Sequence, residues 1–246
     1  MIDSHAHLDA LEEPEQVIAR AKESGVTRMI TIGTGIESCR CALDLTNNAG
    51  VYAALGIDPH RAATPEAARV GELRALLEHP KAVAVGEAGL DYHYGGDAKY
   101  EQRSLFEAQL SLASELELPI VVHTRSANAD TEAILRAHDG IVVMHCFSEP
   151  ELLPAGLERG WYFSFAGNIT YPKAEALREA AAVVLPTRIL VETDSPYLAP
   201  QRVRGRTNEP AYVVHTLAAL AEARGEDADE LAARIDANAD AAFRLL

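Results

Sequence analysis

Cationic side chains are scarce in this chain: 22 Lys and Arg face 37 Asp and Glu over 246 residues, a formal net charge of −15. A surface of that sign repels nucleic acid and anionic membranes, so an anionic partner has to be caught by a local basic cluster or by bound metal cations. Cysteine is scarce too. Cys39, Cys41 and Cys146 are an odd set whose first two members are too close in sequence to suggest a disulfide framework, and they read as reduced thiols of a cytosolic protein. No segment approaches the roughly 20 apolar residues of a membrane span. The first residues, with Asp3, His5, His7, Asp9, Glu12 and Glu13, lack the basic start and apolar stretch of a signal peptide. A soluble, cytoplasmic protein is expected, with no membrane contact and no obligate protein partner evident. Long linkers, internal repeats and shifts of composition are also missing, which leaves a single domain over 1–246 as the expected organisation.

What is present is an alternation. Short runs rich in Val and Ile, near 1–4, 27–32, 51–55, 82–86, 119–123, 141–145, 161–164 and 188–193, are each followed by a longer amphipathic segment. This is the pattern of parallel strands joined by crossover helices. The clearest helix, 99–117, aligns Leu105, Gln109, Leu112 and Leu116 on one stripe before Pro119. Further helices are expected over about 210–224 and 226–245. Eight strand–helix units in a chain of this length match an α/β fold of the (β/α)8 TIM-type barrel class with an extra C-terminal helix. Periodicity fixes strand type but not closure, so an open doubly wound sheet is the alternative.

In such a barrel the active site forms at the carboxyl ends of the strands, and several of those ends carry metal-binding side chains. His5 and His7 follow strand one, Glu87 follows strand four, His123 ends strand five, His145 ends strand six and Asp194 follows strand eight. Singly, each has an ordinary reading as a polar turn, a core histidine or a helix cap. Jointly they fall at one end, whereas independent accidents would scatter over both. Four imidazoles and two carboxylates exceed the needs of one metal and suit two cations sharing a bridging carboxylate. His60 and His93 lie in loops after strands three and four, where they could approach a substrate. The loop Tyr92–His93–Tyr94 offers rings for base stacking, and Arg202, Arg204 and Arg206 offer positive charge after strand eight. Cys146 is expected to point away from His145 by strand alternation.

The strings IDSHAHLD (2–9), GEAGLDYHY (86–94), PIVVHTR (119–125), MHCFS (144–148) and ETDSPYLAP (192–200), with RGRTNEP (204–210), resemble the TatD family of metal-dependent deoxyribonucleases, over nearly the whole chain and in family order. The resemblance implies the barrel of the metallo-dependent hydrolase superfamily. It implies that His5, His7, Glu87 and Asp194 hold one metal and that Glu87, His123 and His145 hold the other, with Glu87 as the bridge. Asp194 would orient or deprotonate the nucleophilic water, making Asp194 and Glu87 the catalytic carboxylates, while Arg125 would grip a phosphate with its planar fork. Two positions depart from the family pattern. Asp58 stands where the family often has His, which leaves substrate preference open at that point, and Glu149 stands where a Gly often follows the His-Cys-Phe-Ser string.

The expected activity is therefore hydrolysis of phosphodiester bonds, foremost 3′–5′ exonuclease action on single-stranded DNA, by a water activated between two divalent cations. Histidine-rich ligation favours Zn²⁺, Mn²⁺ or related ions over Mg²⁺ on affinity, whereas the family resemblance allows Mg²⁺. The main rival is another hydrolase of the superfamily, acting on a cyclic amide, an ester such as a D-aminoacyl-tRNA, or a phosphotriester. Many of those enzymes bridge their metals with a carboxylated lysine at strand four. None of the chain's lysines, Lys22, Lys81, Lys99 and Lys173, lies at the carboxyl end of a strand. A catalytically silent barrel would be expected to have lost ligands, and none is lost.

Overall fold

The computed structural model describes residues 1–245. Eight parallel strands pair in chain order: β1 (Ile2–Ala6), β2 (Arg28–Gly33), β3 (Val51–Leu55), β4 (Ala82–Asp91), β5 (Ile120–Arg125), β6 (Val142–Met144), β7 (Tyr162–Phe165) and β8 (Ile189–Val191). Helices α1 (Pro14–Glu23), α2 (Ile36–Leu45), α3 (Val70–Leu77), α4 (Lys99–Glu115), α5 (Asn128–Leu135), α6 (Leu153–Arg159) and α7 (Glu175–Val183) connect them, and α8 (Val213–Arg224) and α9 (Ala228–Phe243) follow the last strand. Strands buried on both faces need continuous apolar runs rather than alternation, and Val, Ile and Ala supply them here, as in the fully buried β4 and β6.

The sheet closes between its first and last strands, so the architecture is a TIM-type barrel and not an open sheet. Ala6 bridges Ser195 in parallel, Asp194 N–H donates to the His5 carbonyl at 2.9 Å, and His7 N–H donates to the Ser195 carbonyl at 2.8 Å. The buried Asp3 carboxylate completes the seam by accepting Thr193 N–H at 2.9 Å and the Thr193 hydroxyl at 2.5 Å. This seam places His5, His7 and Asp194 side by side. The extra helix α9 covers the opposite, amino ends of the strands. Asn238 Nδ2 donates to the Pro186 and Ile189 carbonyls at 2.8 Å each, and Arg28 pairs with Asp236 at 3.1 Å and with Asp240.

Helix α4 shows why an amphipathic stripe can include amides. Gln109, fully buried, donates to the Ile57 carbonyl at 2.9 Å and accepts Ile57 N–H at 2.8 Å. Gln102 does the same for Asp91 at 2.9 and 2.8 Å. Each glutamine satisfies a loop backbone that leaves the sheet, so α4 pins the loops after β3 and β4. Beside it, Gly89 at φ +145° is required by close approach, since a Cβ there would lie 1.9 Å from the His123 carbonyl. No helix among the described residues is long and apolar enough to cross a membrane.

Candidate metal centre

Strand β4 is longer than its Val-rich run suggests, continuing through Asp91 in register with Arg125 of β5. Glu87 therefore lies within the strand, inside a register shift between Val85 and Ala88. His5 occupies a similar shift between Asp3 and Ala6 of β1. Bulges of this kind re-aim side chains beside active sites, and both residues turn into the barrel mouth. His123 sits within β5, two residues before its end, while His145 and Asp194 follow the last residues of β6 and β8.

All six side chains meet around Glu87. Its Oε1 lies 2.9 Å from His123 Nδ1 and 3.2 Å from His145 Nε2, and those two nitrogens are 3.2 Å apart. Its Oε2 lies 3.5 Å from His5 Nε2 and 3.6 Å from His7 Nε2. Asp194 Oδ1 faces the same two nitrogens at 3.8 and 3.4 Å. Ligand atoms bound at about 2.0–2.2 Å to one cation are separated by about 2.8–3.6 Å along tetrahedral or octahedral edges, so the two groups have close to ligand-shell spacing. One carboxylate thus offers an oxygen to each group.

His5 supplies the test of fit. Both of its ring nitrogens are buried without a hydrogen-bond partner, an arrangement that costs free energy unless a further group completes it. Without a cation, burial pushes the His5 imidazole down to about 3, so it stays neutral and available as a donor. Burial also opposes charge on His123 and His145, yet carboxylates outweigh it at both. Asp91 and Glu87 lift His123 to about 9, and Glu87 with Glu192 holds His145 well above the usual imidazole range. Glu87 is buried, which favours its neutral form, but the surrounding imidazoles keep it well below the carboxylate range. An anionic bridge surrounded by imidazoles is suited to a divalent cation, which takes the place of the protons on His123 and His145.

Two orienting carboxylates were not apparent in the sequence. Asp91 Oδ2 lies 3.3 Å from His123 Nε2, and Glu192 Oε1 lies 3.3 Å from His145 Nδ1 while accepting Cys146 N–H at 2.7 Å. Each sits behind the ring nitrogen that faces away from Glu87, the arrangement that fixes the tautomer of a ligating histidine. The signal for Asp91 was its place four residues beyond Glu87 on one strand, hidden by ending that strand at residue 86. Glu192 stood two residues before Asp194 and gave no separate signal.

The remaining candidates divide. A cavity of about 690 Å³ above these six side chains is lined by Asp58, His60, Tyr94, Arg125, Glu149 and Tyr197, among others. The Arg125 guanidinium lies 4.7 Å over the Tyr94 ring, and His60 Nε2 is 3.6 Å from Asp91. Tyr92 is not among the residues around this cavity: its hydroxyl lies 2.6 Å from an oxygen of Asp130, and Lys99 covers its ring. Neither are Arg202, Arg204 and Arg206. Arg202 faces a separate groove of about 860 Å³ between α7 and α8, and Arg204 stacks on Tyr171 at 4.4 Å. The segment after β8 lines this cavity at Asp194, Tyr197 and Leu198 and the separate groove from Pro200 to Arg202, which proximity in sequence does not reveal. Cys146 does line the cavity. Strand alternation has stopped by then, because β6 ends at Met144 and Cys146 has φ +44°. Glu149 accepts Ser126 N–H at 3.1 Å and Asn128 Nδ2–H at 3.0 Å, so it ties the loop after β5 to the mouth as well as preceding a helical turn.

Comparison with known proteins agrees with the barrel and with a metal-dependent hydrolase. The profile of the family described as "TatD related DNase" matches residues 2–244. A protein of Escherichia coli K12 called "Uncharacterized metal-dependent hydrolase YcfH" is 38% identical over 243 residues, covering 94% of this chain and 91% of that one. The "3'-5' ssDNA/RNA exonuclease TatD" of Pantoea vagans is 36% identical over 242 residues, covering 94% and 93%. The crystal structure of YJJV, a TatD homologue from Escherichia coli K12, superposes with a TM-score of 0.94 at 31% identity, covering 100% and 98%. With this barrel, this cluster of candidate ligands and these relatives, the chain belongs to the TatD-related DNase family of metal-dependent hydrolases.

Proposed function

We propose that the chain is a phosphodiesterase of single-stranded nucleic acid, with DNA as its foremost substrate and 3′–5′ exonuclease action as its mode, working at the barrel mouth with two divalent cations. One observation carries the reading: the two oxygens of Glu87 face different donor groups, His123 with His145 on one side and His5 with His7 on the other. His5, His7, Glu87 and Asp194 would hold one cation and Glu87, His123 and His145 the other. The donor chemistry favours Zn²⁺, Mn²⁺ or related ions over Mg²⁺, and Mg²⁺ is the third ion to test. When bound, such a pair lowers the pKa of water and neutralises the charge that grows on a phosphoryl group during in-line attack.

The chain's own residues supply the rest. Asp194, at the cavity wall, takes the proton of the attacking water. Arg125, braced by the Tyr94 ring, presents its planar fork to a phosphate oxygen. His60, beside Asp91, adds a second polar contact on the same side. The relative from Pantoea vagans, named as a single-stranded DNA and RNA exonuclease, supports the substrate class. Cyclic-amide and ester hydrolysis rank lower, since Glu87 occupies the position that a carboxylated lysine would take.

The test is product analysis on end-labelled single-stranded DNA with added Mg²⁺, Mn²⁺ or Zn²⁺, beside a chelated sample and a Glu87→Ala variant. Stepwise shortening from the 3′ end only in the metal-supplied wild type is expected. Equal activity in all samples, or intact DNA while a model ester is turned over, would overturn the proposal.

A further inference from the structure

In a barrel closed in the order β1 to β8, the loops after β4 and β8 stand four strands apart, on opposite sides of the mouth. Each carries a tyrosine whose ring is left in solvent: Tyr94 is 69% exposed and Tyr197 57% exposed. Exposure alone says little, since Tyr100 is more exposed still and lies outside the cavity. These two rings differ from Tyr100 because both line the ligand-bearing cavity and both are tied to a carboxylate residue of the site. Tyr94 N–H donates to Asp91 Oδ1 at 2.9 Å, and Tyr197 N–H donates to the Asp194 carbonyl at 2.9 Å.

The rings are also braced from behind. Arg125 lies 4.7 Å over one face of Tyr94, and the His93 ring meets it edge-on at 4.6 Å. Tyr197 meets His7 edge-on at 5.7 Å, and its carbonyl accepts Asn208 Nδ2–H at 2.5 Å. Exposed aromatic faces held at fixed positions on a polar, ligand-lined cavity have one obvious chemical use with a nucleic acid. They stack on bases, and they do so without regard to sequence because every base has a π face.

We propose that Tyr94 and Tyr197 are a pair of base platforms on opposite rims of the mouth, one for the nucleotide on each side of the bond that is cut. The inference rests on the phosphodiesterase reading above and specifies its substrate as a strand with unstacked bases flanking the reacting phosphate. A duplex keeps those base faces covered by their neighbours. The platforms therefore select single strands, and Arg125, under Tyr94, places a phosphate contact beside one of them. They also explain how so acidic a protein holds an anionic polymer: much of the grip comes from ring faces, which salt does not screen.

The experiment is a coupling analysis on Mn²⁺-loaded protein. Short single-stranded oligonucleotides carry a tetrahydrofuran abasic unit on the 5′ or the 3′ side of the bond cut, and KM and kcat are compared for wild type, Tyr94→Ala, Tyr94→Phe, Tyr197→Ala and Tyr197→Phe. Each Ala variant should raise KM by about 5- to 100-fold, the usual effect of losing one base–aromatic stack. Each Phe variant should stay close to wild type, since the ring and not the hydroxyl acts. In wild type, the abasic unit should cost as much as the matching Ala substitution. In that Ala variant it should cost nothing further, with Tyr94 coupled to one side and Tyr197 to the other. Additive effects of variant and abasic unit, or coupling of both tyrosines to one side, would overturn the platforms while leaving the nuclease intact. A wild type that neither binds nor cuts any oligonucleotide would remove the phosphodiesterase reading and the platforms together.

Discussion

Replacing Asp91 by Asn should damage the metal centre more than removing the side chain altogether. Asp91 Oδ1 accepts the backbone N–H groups of His93 and Tyr94 at 2.9 Å each, so in the Asn variant the amide oxygen must stay at that position. The amide nitrogen then takes the place of Oδ2, 3.3 Å from His123 Nε2, and presents hydrogens to it. His123 responds by accepting at Nε2 and carrying its proton on Nδ1, the nitrogen that faces Glu87 at 2.9 Å. A protonated Nδ1 cannot ligate. Loss of an orienting partner costs about 10- to 100-fold in metal affinity, or about 1.4–2.7 kcal/mol, and the wrong tautomer puts Asp91→Asn at the upper end. Asp91→Ala leaves Nε2 free to donate to water and should lie at the lower end. The assay is Mn²⁺ binding by calorimetry, with thermal unfolding of the metal-free variants as the control for folding. Equal affinities for wild type and both variants, or an Ala variant weaker than the Asn variant, would refute the argument.

Four further outcomes follow from the same structure. Cation affinity should rise with pH between about 6.5 and 9, because His123, held at about 9, must lose its proton to ligate; calorimetry in buffers of different ionisation enthalpy should register that proton release. The sign for folding is opposite: the raised His123 pKa stabilises the metal-free fold fully below pH 6.5, and that contribution fades as pH rises through 9, which chemical denaturation across the range will check. Gln109→Leu should destabilise by about 2–4 kcal/mol, since it leaves both Ile57 N–H and C=O without their partner, and Gly89→Ala should cost at least as much because its Cβ would meet the His123 carbonyl at 1.9 Å; urea unfolding measures both.

Most of the strands and helices were legible in the sequence because parallel, doubly buried strands require apolar runs that few other segments share. The ends of β4 and β5 were not, since Glu87, Asp91 and Arg125 interrupt those apolar runs with polar residues. The six ligand candidates could be read because barrel geometry puts strand ends together. Their orienting partners could not. Asp91 and Glu192 face the far side of a ring, a relation that sequence distance does not express. The arginines at 202–206 looked available because sequence distance from Asp194 is short, but the chain passes from the cavity at Leu198 to the α7–α8 groove by Arg202. Tyr94 was within the aromatic loop singled out for stacking, whereas Tyr92 of that loop is taken up by Asp130. Tyr197 belonged to a string valued only for Asp194. The charge of −15 excluded less than it first suggested, because carboxylates at a site of this kind are the means of collecting cations.

The central claim is that Glu87 joins two cations into one hydrolytic site. It is tested most directly by adding Mn²⁺ stepwise to metal-stripped protein while measuring bound ions per chain and cleavage of single-stranded DNA on the same samples. The account predicts two ions per chain in the wild type, activity that appears as the second binds, and loss of both the second ion and the activity in Glu87→Ala. Full activity with one ion or none, or a Glu87→Ala variant that keeps two ions and normal turnover, would contradict it.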